Sequence, residues 1–226
     1  MMSLLHAYRV CCPLVLPALV LLTVVVGGCD RPEKAPVLEE SRTVAAETLP
    51  ELGGLIGPLD EGRIEVAPPA GWHVPPRNRQ WLIRFTALQN LSYPSILLTA
   101  EDYETVFNVT DTNVDEFARQ ISAALSKDTS TARLSQGIEP IKIGSLVGIT
   151  YRRRAQATYK SKKIELERLF IETVVSGRKY TLELRTRTGT LDKYRSSLEA
   201  VAGGMKFLHA EETPETEGLP ELDEPL

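Results

Sequence analysis

Residues 114–125 place Val114, Phe117, Ala118, Ile121, Ala124 and Leu125 at spacings of three and four, which gathers them on one stripe of an α-helix. Asn113 precedes the stripe and Glu116 follows three residues later. That is the pattern of a capping box, in which the Asn accepts a bond from a free helix N–H and the Glu returns one. A helix is predicted to run to about Lys127. A second stripe, Leu191, Tyr194, Leu198 and Val201, starts near Thr190 and ends at Gly203 and Gly204.

Elsewhere the period is two. Trp81, Ile83, Phe85 and Ala87 share one face of a strand predicted over 80–88, and residues 95–100 form its hairpin neighbour through QNLSYP. A short first strand is predicted over 63–67, before the turn region PPAGWHVPP. From Ile141 the chain reads as a meander. Val147, Ile149, Tyr151, Arg153, Ala155, Ala157 and Tyr159 alternate with Thr150, Arg152, Arg154, Gln156 and Thr158. In the next strand Ile164 and Leu166 keep one register while Leu169, Ile171, Thr173 and Val175 keep the other, so a β-bulge is predicted near Glu167 and Arg168. Gly177 turns the chain into Tyr180, Leu182, Leu184 and Thr186, and residues 205–208 return towards the sheet. The pattern predicts an α+β domain, one antiparallel meander packed on one face by two main helices.

The formal charge of the whole chain, −4, hides a division along its length. Residues 62–208 hold 22 Lys and Arg against 15 Asp and Glu, whereas residues 209–226 hold 7 acidic residues and no basic one. Residues 30–61 are acidic as well and carry prolines at 32, 36, 50 and 58 without a sustained period. They are expected to form a tether, whose end from Leu49 has enough apolar residues to dock. The tail has the composition of a chain that does not fold. It is read either as a solvated appendage or as a visitor to the basic surface of its own domain.

The first thirty residues are short and charged, then apolar from Val10 to Val26, the pattern of a signal peptide spanning 1–28. Pro13 and Pro17 make a permanent membrane helix of about 20 residues the less natural reading. Val26-Gly27-Gly28-Cys29 resembles the bacterial lipobox. The resemblance implies a diacylglyceryl group on the Cys29 sulfur, cleavage before it, and acylation of the new amino group. Two or more acyl chains meet the requirement for stable anchoring. The alternative is an uncleaved anchor helix that ends just before Cys29. Cys11 and Cys12 leave with the signal and Cys29 is modified, so the mature domain would have no thiol, and cysteine nucleophiles and thiolate metal sites fall away. Asp30 resembles the residue that retains lipoproteins in the inner membrane of enteric bacteria, a rule that varies among lineages, so either membrane is open.

The order of elements supports one family comparison. A Pro-Ala-Gly-Trp turn (69–72), paired strands, a helix, a long meander, the Gly-Arg-Lys-Tyr-Thr-Leu turn and strand (177–182) and a closing helix together resemble the PsbP-like fold. That fold is shared by the extrinsic photosystem II subunit, the Ran-release factors and bacterial DcrB-type lipoproteins. The resemblance covers residues 62–208 and implies a small noncatalytic domain that binds or stabilises a larger assembly. The acidic tether offers no counterpart to the photosystem subunit's N-terminal segment, so a photosynthetic role is not implied.

Catalytic chemistry finds little support. His73 is the one histidine of the domain and has no partner at ligand spacing, which suits a turn residue beside Trp72. No GxSxG, GxxxxGK[ST] or GxGxxG occurs, and Ser135 has no identifiable base. No cofactor or metal is expected. Trp72, Trp81, Phe85 and Tyr180 would be core or the lining of an apolar pocket.

The surface feature that stands out is RRRAQATYKSKK. Arg152 and Arg154 share a sheet face, and Lys160, Lys162 and Lys163 crowd the hairpin tip. These five are the candidate binding residues, for anionic lipid headgroups or an acidic envelope protein. The plain alternative is cross-strand pairing with Glu165, Glu167 and Glu183, with the lysines guarding strand ends. Nucleic acid is not expected of an exported domain without interleaved aromatics.

The combined reading is a lipid-anchored envelope protein, facing the periplasm or exterior, whose domain is a noncatalytic binding or assembly module. A small-ligand carrier with a pocket between sheet and helices, or a hydrolase whose site forms only on folding, remain as alternatives. The anchor makes a direct prediction. Wild-type protein expressed in a bacterium incorporates labelled palmitate and sediments with membranes, and Cys29→Ser abolishes the label.

Overall fold

The computed structural model describes residues 41–89, 91–127, 132–159 and 161–208, all within one compact unit. The predicted signal peptide, Cys29, Lys160 and the acidic tail lie outside the described residues. In chain order the elements are β1 (Arg42–Val44), a 3-10 turn (Ala46–Thr48), β2 (Ile56–Leu59), β3 (Ile64–Val66), β4 (Ile83–Thr86), β5 (Ser95–Asp102) and α1 (Val114–Lys127). β6 (Arg133–Ile143), β7 (Leu146–Tyr159), β8 (Lys162–Val175), β9 (Arg178–Arg187), α2 (Leu191–Gly203) and β10 (Lys206–Phe207) complete the fold. The α+β class expected from the sequence is the class observed.

Seven strands form the main sheet in the order β1-β6-β7-β8-β9-β5-β4, all antiparallel except β1, which runs parallel to β6. A second sheet, β10-β3-β2, is antiparallel and joins the same core as the α2 face of the main sheet. One sheet was expected, and the return of the chain after α2 goes to this second one. Ser176 and Gly177 both have positive φ, 52° and 70°, which suits a two-residue turn whose twist matches the flanking strands β8 and β9.

The two helices lie on opposite faces, which corrects the expectation of one covered face. Phe117, Ala118 and Ile121 of α1 pack against Ile149, Tyr151, Phe170 and Val174. Leu191, Leu198 and Val201 of α2 pack on the other side with Leu169, Ile171, Tyr180, Leu182 and Leu184, and with Leu59, Ile64 and Val66 of the small sheet. This also removes the predicted bulge. β8 keeps an unbroken register with both β7 and β9, and its apolar positions change parity because both faces of the strand are buried.

Three boundaries shift. The segment expected as tether up to residue 61 supplies β1 and β2, so the fold begins before residue 62. Arg42 pairs with the buried Glu199 of α2 at 2.9 Å, tying β1 to the helix. β6 starts at Arg133, eight residues before the meander predicted from Ile141, and β4 is confined to Ile83–Thr86. Nor does Asn113 form the capping box. Its amide oxygen accepts from the Thr110 N–H at 2.8 Å and its nitrogen donates to the Asn108 carbonyl at 2.8 Å, while Glu116 pairs with Arg119 at 2.8 Å. The side chain braces the loop before α1.

Gly148 of β7 sits so close to β8 that a Cβ would collide with the Glu172 carbonyl oxygen, and no flexible side chain could yield in its place. Gly148→Ala is expected to lower the unfolding free energy by about 1–3 kcal/mol, the usual cost of overpacking. Urea denaturation of the two proteins checks it.

Candidate functional site

β7 and β8 are long paired strands whose tip carries the basic sequence. Four of the five predicted residues, all but Lys160, are described, and the structure separates them. Arg152 reaches Asp192 in the first turn of α2 at 2.6 Å, and Arg154 reaches Glu167, its cross-strand partner, at 3.2 Å. Cross-strand pairing, the plain alternative, therefore accounts for Arg154, whereas Arg152 is held by a helix carboxylate that was not among the partners considered. Exposed pairs of this kind contribute about 0–1 kcal/mol each. Lys162 and Lys163 are exposed at the tip. Glu183, one of the partners considered for these arginines, sits on the other face and accepts from Arg168 and Arg185.

Beside the tip runs an open groove of about 820 Å³, lined by Arg133, Leu134 and Ser135 of β6, Arg154 and Gln156 of β7, and Glu165 of β8. The β6–β7 register shifts next to it, between Leu134 and Glu139. Such irregularities re-aim side chains at a sheet margin. Leu134, which lines the groove, is 48% exposed.

Two buried acids escaped the sequence reading. Asp60, in the turn between β2 and β3, receives two hydrogen bonds from Arg178 at 2.7 and 3.0 Å and one from the Tyr180 hydroxyl at 3.1 Å. Arg178 also reaches Asp102 at 2.6 Å, so a fork-shaped guanidinium fastens the small sheet to the start of β9 and the end of β5. Burial pushes the Asp60 carboxyl up, but the bonds from Arg178 and Tyr180 and the charges of Arg178 and Arg63 outweigh it and hold it below 3.8.

Glu172 of β8 behaves oppositely. One oxygen accepts from the Tyr151 hydroxyl at 2.8 Å, the other is buried without a hydrogen-bond partner, and the Lys179 ammonium stands 4.0 Å away. Burial raises its pKa above 4.5 despite Lys179 and Tyr151. A polar residue inside LFIETVV was the available signal for Glu172. Asp60 gave none, because its partners stand about 120 residues away in sequence.

His73 is exposed, with its backbone paired to Thr86, and Trp72 meets the Tyr194 ring edge-on at 6.0 Å. Phe85 and Tyr180 are core residues, 0% and 2% exposed. Two apolar clusters lie between the sheet and the helices, and at the α2 margin a cavity of about 260 Å³ is lined by Tyr93, Pro94 and Arg187 and by Lys193 and Tyr194 of the helix. Among the described residues no three metal-ligating side chains converge, and no helix is long and apolar enough to cross a membrane.

No family model and no curated protein matches the chain. Several solved structures are similar at low identity. A protein of Bacteroides thetaiotaomicron VPI-5482 matches with 9% identity and a TM-score of 0.44, over 66% of this chain and 46% of its own. The match thus spans less than half of that protein. Cyanobacterial PsbP (CyanoP) of Synechocystis sp. PCC 6803 matches with 16% identity and a TM-score of 0.42, over 69% of this chain and 92% of its own. LpqN of Mycobacterium tuberculosis, described as involved in cell envelope biogenesis, matches with 8% identity and a TM-score of 0.40, over 65% and 83%. At these scores the likenesses carry no assignment of function.

The two buried acids set opposite pH dependences. Asp60, with a lowered folded pKa, contributes stability that is present above its unfolded value and is lost as pH falls through the folded one. Glu172, with a raised folded pKa, contributes stability that is present below its unfolded value and is lost as pH rises through the folded one. Glu172→Gln is therefore expected to flatten the fall in stability above pH 4.5, and Asp60→Asn to flatten the acid limb below it. Denaturation midpoints measured across pH check both.

Proposed function

We propose that the chain is a membrane-anchored envelope lipoprotein whose α+β domain is a noncatalytic contact module, held to the bilayer through acylated Cys29. The observation that carries the contact reading is the open groove on the β7–β8 hairpin, where the half-exposed Leu134 lines the wall with Arg133, Ser135, Arg154, Gln156 and Glu165, while Lys162 and Lys163 stand exposed at the tip of the same hairpin. An apolar anchor point with Arg133 beside it, and with the exposed Lys162 and Lys163 on the same hairpin, suits an acidic polypeptide segment. Aliphatic and charged contacts would then act together, the first supplying affinity and the second orientation and approach rate. Lipid headgroups would use the lysines but leave the Leu134 groove without a role. The apolar clusters on both faces favour contact at the surface over carriage of a ligand between sheet and helices.

A photo-crosslinking residue at position 134, introduced in cells that express the lipidated protein, is expected to give a discrete protein adduct. The adduct should fall at least tenfold when Arg154, Lys162 and Lys163 are all replaced by Glu. These positions are exposed, so the variant keeps its fold, which far-UV circular dichroism verifies. An equal adduct from both proteins, or none from either, would overturn the reading. Binding of the purified domain to vesicles with anionic lipid, lost in the same variant, would reassign the lysines to headgroup contact.

A further inference from the structure

The α1 face of the main sheet carries a second cationic cluster, away from the helix. Arg153, Arg168 and Arg185 stand directly opposite one another on β7, β8 and β9, and Ser95 and Thr86 continue that row on β5 and β4. Like charges set opposite each other destabilise a sheet, so the row calls for negative charge. Glu183, in the adjacent row, supplies one carboxylate to both Arg168 and Arg185 and is itself buried. Beyond it in the same row, across Leu97, stands Arg84 of β4.

The Arg84 guanidinium donates to the Ser92 carbonyl at 2.6 Å, and its central carbon lies 5.8 Å from the centre of the Trp81 ring. Its Nε is buried without an acceptor, as are Trp81 Nε1 and the hydroxyl of Ser95, a residue only 1% exposed. Arg84 Nε and Trp81 Nε1 can only donate. A buried polar group left unpaired costs about 1–3 kcal/mol, so several in one neighbourhood call for an explanation. Arg185 adds to the positive field, and burial first, then its charge, depress the Arg84 pKa.

Above Arg84 opens a cavity of about 430 Å³, walled by His73, Thr86, Gln89, Leu91 and Ser92. Among the described residues no acidic side chain lines it. Its volume falls within the range of small-molecule sites. The backbone pairing of His73 with Thr86 sets His73 on the same face as Arg84, at the exposed mouth.

We propose that this cavity is a binding site for an oxyanion, the phosphate or carboxylate group of a small molecule, with Arg84 as its principal anchor. A forked guanidinium, neighbouring hydroxyls and an acid-free wall match such a group in charge and in donor supply. The site is independent of the contact role given to the β7–β8 tip, so failure of one leaves the other standing.

The protein has two tryptophans. Trp72→Phe therefore leaves Trp81, beside Arg84, as a single fluorescent reporter in the full chain. Inorganic phosphate and acetate are titrated at constant ionic strength against chloride. A saturating change in Trp81 emission is expected, with the dissociation constant raised at least tenfold by Arg84→Gln and unaltered by Arg154→Gln on the β7–β8 hairpin. The stronger of the two responses assigns phosphate or carboxylate. Should Arg84→Gln lose its native near-UV circular dichroism, His73→Glu at the exposed mouth serves instead and should weaken binding at least fivefold. Absence of saturation with both anions, or the same affinity in the cavity variants as in the parent, would overturn the proposal.

Discussion

The fold depends on covering both faces of one strand. β8 is the fourth of seven strands, and from Leu169 to Val174 every residue is buried. An antiparallel sheet commonly leaves one face to water, but this strand cannot. One side needs α1, and the other needs more than α2 provides, because a helix of 13 residues extends only about 20 Å. The small sheet supplies the remainder, and β2, β3 and β10 come from segments far apart in the chain. The position of Arg42–Val44 and Ile56–Leu59 within the domain is thus part of the same requirement.

Much of this was legible in the sequence where the signal was periodic and local. Both helices, the β4–β5 hairpin and the strands from Leu146 to Arg187 follow from apolar spacing, and Gly177 and Gly204 mark ends that the structure keeps. What could not be read depends on distant partners. The parity change between Leu166 and Leu169 admits either a bulge or burial on both faces, and only the placement of α1 opposite α2 decides between them. Asn113 had the composition of a cap, yet a competing local bond to Thr110 was available, the usual rival to helix capping by this residue type. The residues before 62 lack periodicity because short strands of three and four residues carry none.

The candidate surface was legible in part. The run of basic residues is plain in the sequence, but residue type alone does not separate arginines held by Asp192 and Glu167 from lysines that face solvent. The groove beside them lies next to a register shift that no composition reveals. Arg84 is harder still, since its surroundings are assembled by β4, β5, β9 and the segment around His73. In both places polar chemistry gathers where the sheet is not covered by a helix, and the buried acids elsewhere among the described residues, Asp60, Glu172 and Glu199, are each held by specific partners.

β1 has a mechanical meaning. Between Cys29 and the start of the described chain lie residues 30–40, a span of at most about 40 Å when fully drawn out. Any pull transmitted from an anchor would arrive first at a three-residue strand paired along one edge and at the Arg42–Glu199 contact. That strand lies outside the stretch of β8 that unites the two cores. Under load it would peel away before the core yields and pay out the chain only as far as Pro50, because Glu51, Leu52 and Gly53 are paired with the segment 68–70. The edge of the sheet would then act as a fuse, letting the domain move further from its point of attachment without unfolding.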